Sequence, residues 1–267
     1  MLEENKVLIV VNPAAPRQPA VERMASDMPG GMDSGVREAY LLLAADPSMT
    51  DTRADNETVY RDDAWLAELQ KPFESSGLKV YTRISWSKEW ADSILYSAQH
   101  VGADAIVLSH PGTGNSRAFS DEFWYMLRHS PLPLTVVQSV RPPQKRPVMV
   151  AIDLQDKGLE DLNRRVFSAA KRAAEVRGSE LHLVNAYQDS MNYPDRGRLV
   201  NITGLPNDQI HLRAGEVFNA LADVAKDLDP DLVVVGSTRR TGIRAAMRGR
   251  KLGGILTTIE HDLLLVV

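Results

Sequence analysis

The chain contains no cysteine, which removes disulfides, thiolate metal sites and cysteine nucleophiles together. Nowhere does it hold the roughly 18 consecutive apolar residues that a membrane span needs. Its six histidines, His100, His110, His129, His182, His211 and His261, include no i,i+4 pair of ligands on one expected helix, so no metal site is expected. The G-x-S-x-G elbow of serine hydrolases is missing. Aromatic residues make up only 6%, and all four tryptophans, Trp65, Trp86, Trp90 and Trp124, fall in the first half, where they are expected in the core, with Trp86 and Trp90 able to line a cavity. The opening MLEENKVLIVV lacks a basic n-region and runs directly into a strand, so a cytoplasmic protein without a signal peptide is expected.

What is present is ordinary in amount and unusual in arrangement. Of 267 residues, 43% are hydrophobic and 25% charged, as in a soluble globular protein, and the length makes two domains the natural expectation. The net charge of −4 argues against a general nucleic-acid binder. It is unevenly divided: residues 1–140 hold 12 Lys and Arg against 19 Asp and Glu, a balance of −7, whereas residues 141–267 hold 19 against 16, a balance of +3.

Strand and helix patterns alternate along the whole chain. KVLIVV (Lys6–Val11), AYLLLAA (Ala39–Ala45), Lys79–Ile84, AIVL (Ala105–Leu108) and LTVV (Leu134–Val137) read as five strands. Between them Pro19–Met28, Thr58–Ser75, Trp90–His100 and Asp121–His129 read as helices, with Pro72 kinking or ending the second of these. VRPPQKRP (Val140–Pro147) then interrupts every period and reads as a stiff linker. Afterwards the order restarts, with strands at Val148–Ile152, Leu181–Ala186, Gln209–Arg213, Leu232–Val235 and Leu263–Val267 and helices at Leu159–Arg177, Glu216–Leu228 and Gly253–Glu260. Asp104–Val107 with Leu134–Val137 mirrors Asp231–Val234 with Leu263–Val267 in pattern and spacing, which marks a duplicated domain. The stretch Gln188–Asp208 is rich in turn residues, so the helix expected there is lost or much reduced. The expected division is 1–140, a linker at 141–147, and 148–267, each domain an α/β, doubly wound, parallel five-stranded sheet. The two final strands, Leu134–Val137 and Leu263–Val267, are expected to cover each other's edges in an intramolecular pseudo-twofold arrangement, and a homodimer is compatible with it.

The glycine pattern after Leu232–Val235 carries a resemblance. Gly236 and Gly249 stand thirteen residues apart, the spacing of the first and third glycines in G-x2-G-x9-G-[ST]. Arg239 replaces the second glycine and Arg250 the final Ser or Thr. With KVLIVVNP, FWYMLRHSPLPLTVV, VAID and LHLVNAY in order over both halves, the chain resembles the universal stress proteins, closest to their tandem E-type. The resemblance implies Rossmann-like domains of the adenine nucleotide alpha hydrolase-like kind, and a role in stress survival through binding rather than turnover. It implies a ligand set of Asp153, Val184, Gly236, Ser237, Arg239, Gly249 and Arg250 in the second domain, with ATP or another adenine nucleotide as cofactor. The first domain would keep a degenerate pocket at Asn12, Ser109 and Gly112.

Each of these residues has a second reading. Asp153, just past a strand, suits hydrogen bonds from a base or sugar, and equally an Asx turn. Arg239 either grips an anion with its guanidinium fork or fills the pocket. Arg239, Arg240, Arg244, Arg248, Arg250 and Lys251 form a run of cations without an acidic residue, suited to an anionic small molecule or an acidic regulatory partner. In the first domain Ser109–Ser116 looks like a phosphate loop, but no Walker lysine follows. Counted from Ser109, the third motif position is Glu122, whose carboxylate would repel phosphate. The reading is a non-catalytic, cytoplasmic stress-response regulator with an anion or nucleotide site in the second domain. The alternatives are an interaction module with plugged pockets and, third, a slow nucleotide hydrolase.

Overall fold

The computed structural model describes residues 6–27, 35–45, 63–110, 120–138, 145–188, 191, 193–237 and 252–267. The chain divides into two compact units, Met1–Arg141 and Pro142–Val267.

In the first unit the strands are β1 (Lys6–Val11), β2 (Glu38–Ala45), β3 (Lys79–Trp86), β4 (Ala105–Ser109) and β5 (Leu134–Val137). They run β3-β2-β1-β4-β5, each recorded pairing parallel. Strand β1 is central because KVLIVV is apolar on both faces: Leu8, Ile9 and Val11 are wholly buried. Helices α1 (Pro19–Asp27), α2 (Asp63–Gln70), α3 (Trp90–Val101) and α4 (Asp121–His129) alternate with these strands. Only the part of the expected Thr58–Ser75 helix from residue 63 onward lies within the described residues. It stays α-helical to Gln70 and tightens into a 3-10 turn over Lys71–Ser76, with Pro72 in that turn's first positions. Proline supplies no N–H to a continuing α-ladder, so the break falls just before it.

The second unit repeats the plan with β6 (Val148–Ala151), β7 (Leu181–Tyr187), β8 (Ile210–Ala214), β9 (Leu232–Gly236) and β10 (Asp262–Val266). Their order is β8-β7-β6-β9-β10, again with parallel pairings. Counted from its own first strand, each unit therefore reads third, second, first, fourth, fifth. The repeat extends to single hydrogen bonds. The Asp104 N–H donates to the Lys6 carbonyl at 2.9 Å, and the Asp231 N–H donates to the Pro147 carbonyl at 2.8 Å.

Helix α5 (Glu160–Arg177) sets one buried face with Leu162, Val166, Ala170 and Ala174, four residues apart in each step. That stripe packs on Val148, Val150, Leu183 and Val234. Helix α6 (Arg196–Thr203) is the reduced helix of the turn-rich stretch: two turns survive, started by Asp195, whose carboxylate accepts the Arg198 N–H, and stopped by left-handed Gly204. Helix α7 (Val217–Leu228) buries Ala220, Leu221, Val224 and Ala225 and lies against β7 and β8. The last helix, α8, occupies 252–258.

The tryptophans depart from the expectation. None of the four belongs to the buried core, and Trp86 at the end of outer strand β3 is 41% exposed. Phe73 and Phe123 fill the positions where large aromatics are fully enclosed. Trp65, Trp90 and Trp124 are part-buried, and Trp65 packs against the core of its unit. The Trp124 ring carries the Arg128 guanidinium 5.4 Å from its centroid.

Candidate functional site

A doubly wound sheet opens a crevice where the chain reverses its direction of winding, beyond the carboxyl ends of the strands. In the second unit that point lies between β6 and β9, which pair in parallel with Val148 opposite Leu232. Asp153 follows β6 and Gly236–Ser237 end and follow β9, so the topology brings these three residues to one edge.

Asp153 is fixed by its neighbours on both sides of its peptide. Its N–H donates to Asn163 Oδ1 at 3.1 Å, and Asn163 Nδ2 donates to its carbonyl at 2.6 Å. Asp153 Oδ1 accepts the N–H groups of Gln155 at 3.0 Å and Asp156 at 3.2 Å, an Asx turn. The turn is pinned to the sheet from the other side. Gln155 Nε2 donates to Asn185 Oδ1 at 3.0 Å, and Asn185 Nδ2 donates to the Ile152 carbonyl at 2.8 Å. Asn185 is wholly buried in β7, so both its polar atoms need these partners.

Gly236 is required by packing. A Cβ there would stand 2.9 Å from Leu162 Cδ2 and 3.1 Å from Val166 Cγ2, against the first two turns of α5. The Ser237 N–H donates to the Val266 carbonyl at 2.7 Å, continuing the β9–β10 ladder by one residue. Val184 is buried, and its carbonyl accepts the Ile152 N–H at 3.2 Å. Arg239, Gly249 and Arg250, with the rest of the basic run, lie outside the described residues.

The corresponding edge of the first unit lies between β1 and β4. Asn12 Oδ1 accepts the Ala14 N–H at 3.0 Å. Ser109 Oγ accepts the Ala20 N–H at 3.0 Å in the first turn of α1. The His110 N–H donates to the Val137 carbonyl at 2.8 Å, as Ser237 does to Val266. Glu122 Oε2 accepts the Ala91 N–H at 3.0 Å, so its carboxylate caps the start of α3. Gly112 lies outside the described residues.

Comparison with known proteins places this architecture. The model of the universal stress protein family matches residues 195–266. Over nearly its full length the chain is similar to universal stress protein E of Escherichia coli K12, 24% identical over 296 aligned positions, covering 97% of this chain and 93% of that protein. Residues 195–266 thus match the universal stress protein family, and the whole chain is similar to its E-type members. A homolog of universal stress protein E from Haemophilus influenzae is 23% identical over 214 positions, covering 70% of this chain and 69% of that protein. Among solved structures, a universal stress protein from Archaeoglobus fulgidus superposes with a TM-score of 0.75 at 14% identity, covering 98% of this chain and 96% of that one. One from Pseudomonas aeruginosa UCBPP-PA14 gives 0.78 at 22% identity, covering 98% and 92%. These likenesses establish the doubly wound, Rossmann-like fold.

The residues that sequence reasoning passed over are amides: Gln155, Asn163 and Asn185, and in the first unit Gln18, whose Oε1 accepts the Asn12 N–H and whose Nε2 donates to the Asn12 carbonyl. Asn185 had a legible signal, a polar residue inside the otherwise apolar run LHLVNA. Asn163 and Gln155 had none, because an amide on an amphipathic helix or in a turn is read as solvated. Among the described residues, no three His, Asp or Glu side chains are grouped so as to hold a metal ion, and no helix is long and apolar enough to cross a membrane.

Proposed function

We propose that the protein is a non-catalytic, cytoplasmic stress-response regulator whose second domain, 148–267, takes an anionic ligand, with an adenine nucleotide the first candidate. The observation that carries this reading is the convergence of Asp153 and Gly236–Ser237 at the carboxyl ends of the neighbouring strands β6 and β9. Oδ1 of Asp153 is committed to its own turn, so Oδ2 is the oxygen that would meet a ribose hydroxyl or base amine. Gly236 leaves the backbone bare at the same edge, Val184 lines the next strand, and Arg239, Gly249 and Arg250 would bring the anion's counter-charge. In this reading the ligand orders the basic run and alters what a regulatory protein partner meets. The first domain, 1–140, is degenerate: Ser109 Oγ and the Glu122 carboxylate each serve a helix N-terminus.

A second reading, an interaction module with plugged pockets, is favoured by one observation. The Ser237 N–H, a natural phosphate donor, is already satisfied by Val266. Slow nucleotide hydrolysis stands third. Titration calorimetry of the full chain with ATP, ADP and AMP, beside D153N, separates them. Binding weakened about tenfold or more in D153N supports the ligand site, at the scale of a hydrogen bond to a charged group. Absence of heat with each nucleotide favours the plugged module, and phosphate release lost in D153N favours hydrolysis.

A further inference from the structure

Two histidines of the second unit meet across the outermost strand pair of its sheet. His182 on β7 and His211 on β8 approach to 3.0 Å between Nδ1 and Nε2, with rings stacked at 22° and centroids 5.3 Å apart. His182 is 8% exposed, and its other nitrogen, Nε2, faces Glu180 Oε2 at 3.4 Å. Among the described residues strand β8 pairs with β7 alone, so the contact bridges the outer strand to the rest. The charged groups around the pair are Glu180 beside β7, Arg213 on β8, Arg196 on α6 and Asp227 on α7.

Counting protons shows what the contact tolerates. With both rings neutral, His182 donates Nε2–H to Glu180 and accepts the His211 Nε2–H at Nδ1. One added proton leaves each facing atom matched when it sits on His182, which then donates Nδ1–H to His211 Nε2 and Nε2–H to Glu180. With two, N–H faces N–H at 3.0 Å and two cations stack, so the contact must open.

We propose that His182 and His211 form a proton-operated latch that holds strand β8 on the sheet and releases it on acidification. The surroundings bias the latch toward the closed state. Burial first, then the charges of His182, Arg213 and Arg196, pulls the His211 imidazole down to about 4. In the unfolded chain the same ring titrates at about 6.5. Between those two values the opened or unfolded chain binds a proton that the closed state refuses, so closure weakens as pH falls through that window. Arg196 adds a second hold on the same strand, donating from Nη1 to the Ile210 carbonyl at 3.0 Å, and guanidinium does not titrate there. The Arg196 contact at the start of β8 therefore persists on acidification, and the change falls on the part of the strand around His211.

Amide hydrogen exchange of the full chain, corrected for the intrinsic effect of pH, tests the latch. Protection of residues 210–214 should fall about tenfold or more between pH 7 and pH 5 in the wild type, the scale of one linked proton over one to two pH units. In His211→Gln, which keeps an amide within reach of His182 and cannot be protonated, that extra loss should vanish. Equal losses in both proteins would overturn the proposal. Nitrogen-15 imidazole spectra of the wild type decide it independently of how the variant folds. The latch requires His211 to stay neutral until β8 loses protection. His211 charging near pH 6.5 with β8 still protected would contradict it.

Discussion

The side-chain amide of Asn163 holds Asp153 by both of its backbone polar groups, accepting from the N–H at 3.1 Å and donating to the carbonyl at 2.6 Å. The first domain uses the same device with a different residue. Gln18 Oε1 accepts the Asn12 N–H at 3.0 Å, and Gln18 Nε2 donates to the Asn12 carbonyl at 2.7 Å. The two amides lie ten and six residues beyond the residues they hold. Gln18 precedes α1 by one residue, whereas Asn163 sits within the first turn of α5. A reciprocal pair of this kind fixes the peptide after the first strand in orientation as well as position, because rotating it breaks two bonds together.

Removal of the Asn163 amide should therefore cost about 1–3 kcal/mol, the penalty of stranding a partly buried N–H and C=O. Urea unfolding of Asn163→Ala should show a lower midpoint at unchanged slope. A midpoint equal to that of the wild type would mean that water replaces the amide freely and that the turn is not held by it.

Gly236 should tolerate no side chain while Leu162 is present. Gly236→Ala brings a methyl to 2.9 Å from Leu162 Cδ2 and should destabilise by about 1–3 kcal/mol through overpacking. In a Leu162→Ala background the same substitution should cost clearly less, since the neighbour that it strikes has gone. Equal costs in the two backgrounds, read from a double-mutant cycle, would contradict a packing role.

Glu122 is read here as the cap of α3, and a cap can be tested by what replaces it. Glu122→Ala should lower stability by about 0.5–2 kcal/mol, whereas Glu122→Gln, which keeps an acceptor for the Ala91 N–H, should lose less than half of that. If both lose the same amount, the carboxylate acts through its charge on the helix and not through the hydrogen bond.

Most of the fold was legible because its strands are buried on both faces. KVLIVV, AIVL and LVVV leave no period to misread, and β1, β4 and β9 lie where these runs fall. The helix of the turn-rich stretch was harder, since Asp195 and Gly204 look like loop residues until they are seen to bracket two helical turns. The tryptophans misled because hydrophobic weight was taken for depth. At the site, the glycine spacing drew attention to the edge where β6 and β9 end, and it gave a ligand role to groups with structural work. Gly236 answers to Leu162, and the Ser237 N–H answers to Val266. Both partners come from far along the chain, and no local pattern announces them.

The direct test of the central claim is the thermal unfolding of the full chain with and without ATP, ADP or AMP, with inorganic phosphate as a control. At a ligand concentration a hundred times the dissociation constant, binding to the native state alone should add about 2.7 kcal/mol of stability. The account predicts a concentration-dependent rise with at least one adenine nucleotide, larger than with phosphate and reduced in D153N. Melting temperatures that stay unchanged for all three nucleotides up to millimolar concentrations would contradict it.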